Sequence, residues 1–162
     1  MKFAKFVIPL LIAGSACATT VPQEEELLLQ PSMEQRFTAQ LATKLLTNWH
    51  YKETRLDDEL SGQILDSYLE MLDPNRSYFT ASDVDSFEAY RDGLDDALRH
   101  SNLSPAFDMY RVYADRVEQR VAFARERLKS PFDFTVDEDY EYDRTEAPWA
   151  ATSAELDEVL LL

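Results

Sequence analysis

Apolar residues recur at helical spacing along most of the chain. Phe37, Leu41, Leu45 and Trp49 follow one another at i, i+4 with Ala42 and Leu46 beside them, and Ser32 with Gln35 after Pro31 forms the capping box that opens the helix. One face of this helix is apolar and is expected to go inward. His50 at its end suits the helix dipole, which makes it a capping or surface histidine before a ligand. A second helix begins at Asp57-Asp58-Glu59 and carries Leu60, Ile64, Tyr68 and Leu72, widened by Leu65, Leu69 and Met71, until Asp73-Pro74 ends it. Gly62 inside it is disfavoured by about 1 kcal/mol relative to Ala, so either a close helix contact needs the missing side chain or the first turn is loose.

The stretch from Leu72 to Phe87 is the most specific in the chain: a helix end, a proline turn, the aromatic pair Tyr78-Phe79, and Thr80 or Ser82 placed to cap the next helix with Asp83 or Asp85. A third helix then puts Val84, Phe87, Leu94 and Leu98 on one face and stops at His100-Ser101-Asn102. Ser104 is expected to cap a fourth helix with Pro105 at N1, and its apolar seam is Phe107, Tyr110, Ala114, Val117, Val121, Ala124 and Leu128. Such a seam fits a bundle helix better than a coiled-coil dimer, since two of its positions are Ala. Its opposite face, including Arg111, Arg116, Arg120, Arg125 and Arg127, is locally basic and placed to pair with acids of the same chain.

Beyond Lys129-Ser130-Pro131 the period disappears. Phe132, Phe134, Tyr140, Tyr142 and Trp149 are scattered among Asp and Glu, which predicts an extended strap over 131–151 with its aromatics on the bundle. Thr152 and Glu155 announce one more helix, with Leu156, Val159 and Leu160 following, and a truncated helix there is expected to expose the apolar surface those residues would cover, with partial disorder after about Ala151 and self-association. The fold expected is all-α: an irregular bundle of about four helices over 32–130, the strap, and the start of a truncated helix over 152–162.

Composition changes the picture mainly at the amino end. Lys2 and Lys5, the apolar run Phe6 to Ala13 and the small residues Ala16-Cys17-Ala18 predict a cleavable secretory signal over 1–18, followed by a flexible leader over 19–31. The apolar run is shorter than the ~20 residues needed to span a bilayer, so stable membrane insertion after cleavage is not expected. Lipidation of Cys17 fits less well, because Gly14 stands where a lipobox has a Leu-like residue. Cleavage after Ala18 would remove the single cysteine, and with it any disulfide or thiol chemistry. A formal charge of −15 repels nucleic acid and favours solubility or basic partners.

Candidate chemistry is sparse. Asp137, Glu138, Asp139, Glu141 and Asp143 alternate like a calcium loop, but Tyr142 and Pro148 occupy the positions where an EF-hand has its glycine and its bidentate glutamate. His50 and His100 are far apart, so no metal site is indicated. No Gly-x-Ser-x-Gly occurs, and Lys44, Lys52 and Lys129 sit at exposed helical positions or ends, so no activated nucleophile, catalytic residue or cofactor site is expected.

Leu72-Asp-Pro-Asn-Arg-Ser-Tyr-Phe-Thr-Ala-Ser-Asp-Val-Asp-Ser-Phe87, Phe107-Asp-Met-Tyr110, Pro131-Phe-Asp-Phe-Thr135 and Asp143-Arg-Thr-Glu-Ala-Pro-Trp149 together resemble the amino-terminal helical domain of tail-specific proteases, also called carboxy-terminal processing peptidases, from about Ser32 to Glu158. The resemblance implies a periplasmic serine endopeptidase of Gram-negative bacteria. In that family the helical region precedes a PDZ domain and a serine–lysine catalytic domain, substrates are recognised at nonpolar carboxyl ends, and a helical-repeat lipoprotein adaptor docks. The nucleophile, the general-base lysine and the PDZ domain have no counterparts among these residues. The expectation is therefore a noncatalytic scaffold and docking region that is not an enzyme as it stands, with the adaptor or separately supplied protease domains as partners. Two alternatives accompany it: a free-standing acidic binding protein that engages the adaptor, and a fragment of a broken full-length gene.

Overall fold

The computed structural model describes residues 29–49, 55–132, 135, 137, 139 and 141–161, the side chains of 160 and 161 excepted. The expected signal segment, the leader up to residue 28, His50, Lys52, Phe134 and Tyr140 lie outside the described residues.

Among the described residues the secondary structure is helical: α1 (Met33–Trp49), α2 (Asp58–Leu72), α3 (Ala81–Phe87), α4 (Leu94–Arg99), α5 (Ser104–Arg127) and α6 (Ser153–Leu161), with a 3-10 turn at Glu88–Tyr90 between α3 and α4. The fold is all-α, and an isolated parallel bridge pairs Thr80 with Ala150. Ser32 and Gln35 make the reciprocal capping box at α1, and Asp57 caps α2 by accepting from the Leu60 N–H at 3.1 Å.

The core gathers Leu65 and Leu69 of α2, Phe79 of the corner, Phe87 of α3, Leu94 of α4 and Met109 of α5. Phe79 is at its centre, with Phe87, Tyr113 and Trp149 around it at ring-centroid separations of 5.5, 5.9 and 6.2 Å. Gly62 is explained by helix packing: a Cβ there would lie 3.2 Å from Arg91 Nη1, whose guanidinium crosses α2 to bond Asp66 at 2.9 Å.

Several expectations are corrected. The third helix is not continuous, because Asp92-Gly93 is a weak helical pair and the buried Ser61 hydroxyl accepts the Leu94 N–H at 2.8 Å, starting α4 afresh. Ser104 does not cap α5; it is the first helical residue, and the Asn102 side chain accepts its N–H at 3.1 Å. The buried face of α5 is shifted from the apolar seam. Met109, Val112, Tyr113, Arg116 and Arg120 turn inward or lie half-buried, while Tyr110, Val121 and Leu128 of the seam are exposed. Two of the inward residues are arginines drawn in by partly buried carboxylates, which hydrophobic periodicity does not register.

The strap divides likewise. Trp149 and Ala150 join the core, whereas Tyr142 is exposed rather than laid on the bundle. Helix α6 forms over Ser153–Leu161 in the stretch expected to be partly disordered, with Leu156 buried and the helix packed on α5. Finally, the apolar face of α1 does not go inward: Phe37, Leu41, Leu45 and Trp49 are all exposed.

Candidate docking surface

The corner between α2 and α3 is built around two carboxylates. Asp73 is buried, and its Oδ1 accepts the Ser77 N–H at 2.8 Å while Oδ2 accepts those of Tyr78 and Phe79 at 2.8 and 2.9 Å. Those groups would otherwise be orphaned as the chain turns, so the carboxylate holds the loop closed and delivers Phe79 to the core. Arg76, in the left-handed region with φ of 50°, lays its guanidinium 5.2 Å from the centre of the Trp149 ring and donates to the Ala147 carbonyl. The strap is thereby fastened to the corner, and the Ala81 N–H donates to Ala150 O at 2.8 Å beside it.

The second carboxylate settles which capping pair is used. Thr80 and Asp83 form a reciprocal box, and Asp83 also receives Arg116 of α5 in a two-pronged pair, Nε to Oδ2 and Nη2 to Oδ1, both at 2.9 Å. Burial pushes the Asp83 carboxyl up, but donation from Arg116 and Thr80 outweighs it and holds the group below the usual carboxylate range. The same bond raises Arg116, against the opposing effect of burial. A second ion pair joins α5 to α6, where Arg120 Nη1 and Asp157 Oδ1 lie 2.5 Å apart without hydrogen-bond geometry, beside the buried Leu156.

The remaining candidates for chemistry are dispersed. His100 is exposed with its Nδ1 2.7 Å from Asp96 O, and Lys129 pairs with Glu126 at 2.5 Å. Asp143, from the calcium-like run, accepts from the Thr145 N–H and hydroxyl, at 3.2 and 2.7 Å. Among the described residues no three His, Cys, Asp or Glu are grouped as a metal site, and no helix is long and apolar enough to cross a membrane. The carboxylates of Asp73 and Asp83 hold backbone and helices in place.

What remains outward is α1. Its half-buried residues are Ala39 and Thr43, one turn apart, and they face the body of the domain next to α4. Ala39 borders a hollow with Leu103 and Phe107, and Thr43 borders another with Leu56 and Arg99. At about 100° per residue, Phe37 and Leu41 lie on the opposite side of the helix from this contact. The helix therefore sets its small, polar face on the body and presents its apolar face to the outside.

With this geometry in place, comparison with known proteins is informative. A family model of the tail-specific protease N-terminal domain matches residues 42–161, from the middle of α1 to the end of α6. The chain belongs to this family. It is also 35% identical over 125 residues to a tail-specific protease of Haemophilus influenzae, a match covering 76% of this chain and 18% of that protein. The chain thus spans about a fifth of the length of that relative, and the shared part is the helical N-terminal domain. All of the corner, the two arginine clasps and α6 fall inside the match, whereas the first half of α1 precedes it.

Proposed function

We propose that this domain is the noncatalytic scaffold and docking region of a periplasmic tail-specific protease system. The observation that carries the reading is the extent of the family match, which takes in the N-terminal domain with its carboxylates and arginines committed to holding helices and strap together. The family relation supports a partner with protease activity on proteins ending in nonpolar residues, and the domain would supply that partner with a rigid, acidic docking body. Its formal charge of −15 favours a partner surface rich in Lys and Arg, and a helical-repeat lipoprotein adaptor is the proposed one. The amino-terminal Lys2, Lys5 and apolar run support export, with processing after Ala18.

The test combines three assays. Purified chain is incubated with a peptide ending in nonpolar residues and is expected to give no cleavage above buffer. It is passed over immobilised adaptor and is expected to be retained at micromolar concentration, with retention weakening as salt rises. The periplasmic fraction is expected to yield a chain beginning at Thr19. Peptide cleavage abolished by a serine-directed inhibitor would overturn the noncatalytic reading, and absence of retention would overturn the adaptor assignment.

A further inference from the structure

We infer that α1 is a self-association helix, whose outward apolar face pairs with the same face on a second copy of this chain. The face consists of Met33, Phe37, Leu41, Leu45 and Trp49, exposed by 89, 65, 49, 51 and 83%. Together they present roughly 700 Å² of largely apolar surface, above the ~300–600 Å² of the largest patch on a typical monomer. They also approach the ~800 Å² that each partner contributes to a standard stable interface. One helix of 17 residues, about 25 Å long, thus carries most of what a dimer needs.

Charge permits this occupant. The chain as a whole is at −15, so most approaches of one copy to another meet repulsion. In α1 the charged residues are Glu34, Arg36 and Lys44, two basic against one acidic, so this element does not add to the acidic repulsion between two copies. The geometry permits the approach, since Ala39 and Thr43 face the body and the apolar stripe lies on the far side of the helix. A helix–helix contact of this kind also lets each stripe cover its counterpart over the same length, which a flat surface does not.

Self-association and adaptor binding are separable, because the inference depends on α1 and not on the acidic body. Sedimentation of the purified chain between about 1 and 100 µM is expected to show a monomer–dimer equilibrium with a dissociation constant on the order of 10 µM. The double variant Leu41→Lys/Leu45→Lys is expected to weaken dimerisation at least tenfold, with helix content unchanged, whereas Met71→Lys, at an exposed apolar residue of α2, leaves it intact. As a second readout, Trp49 emission shifts to the blue as the dimer forms, and Trp49→Phe removes the shift. A chain that stays monomeric at 100 µM, a dimer indifferent to the α1 substitutions, or a polydisperse aggregate would each overturn the inference. A monomer that instead binds adaptor, and loses that binding in the Leu41→Lys/Leu45→Lys variant, would assign the face to that partner.

Discussion

Two aspartates carry unusual weight. Asp73 replaces solvent for three backbone N–H groups in a turn that has no helix to satisfy them, so Asp73→Ala is expected to cost about 3 kcal/mol in urea unfolding. Asp73→Asn retains one acceptor oxygen and should cost less. Asp83 is both a cap and an ion-pair partner, and Asp83→Asn should cost about 2 kcal/mol near neutral pH. The pH dependence follows from its lowered carboxyl. In the unfolded chain the group protonates near its ordinary value and in the folded chain at a lower pH, so its contribution is present above the unfolded value and fades as pH falls through the folded one. Unfolding followed from pH 6 to pH 3 should therefore show a shallower acid loss in Asp83→Asn than in the parent; equal slopes would mean that Arg116 does not hold the carboxylate. Thr80 and Asp83 were visible in the sequence as a capping pair, as one of the pairings open to Thr80 and Ser82. That Arg116 would pair with an acid of the same chain was legible in its basic face; that the acid is Asp83, 33 residues away, was not, because nothing local distinguishes Arg116 from its solvent-facing neighbours.

At the scale of elements, α6 is held, among the described side chains, by the buried Leu156 and the partly buried Arg120–Asp157 ion pair. Leu156→Ala is expected to cost about 2–4 kcal/mol. Arg120→Met leaves the Asp157 carboxylate without its partner, and amide exchange within 153–159 should accelerate in both variants while α2 keeps its protection. Exchange unchanged in α6 would show that the clasp does not hold the helix. For Gly62, the helical gain of about 1 kcal/mol from Ala opposes a 3.2 Å contact with an arginine already engaged by Asp66 and Glu88, so Gly62→Ala should lie within about 0.5 kcal/mol of the parent. Gly62→Leu should be clearly less stable than Gly62→Ala, because the larger side chain must displace that arginine. The helices of this chain were legible where capping and periodicity agreed, as at α2. They were misread where tertiary contacts decide, as at α4, which begins because a serine on another helix accepts its first N–H. In α5 the true inward stripe mixes Met, Val and Tyr with two Arg, so a purely apolar seam points about one-quarter turn away from it.

At the scale of the molecule, polar groups at the corner and clasps are consumed in joining helices, and the largest apolar surface of α1 is left facing out. The family could be read from four separated motifs, three of which supply Phe79 and Phe87 of the corner, Met109 of α5 and Trp149 of the strap to one core. The orientation of α1 could not, since an i, i+4 apolar stripe has the same pattern whether it meets a core or a partner. That orientation is the central claim, and the stability of Leu41→Lys/Leu45→Lys in dilute solution, where the chain is monomeric, tests it most directly. An outward face predicts an unfolding free energy within about 0.5 kcal/mol of the parent. A loss of about 4 kcal/mol or more, as expected for two lysines forced into a core, would contradict it.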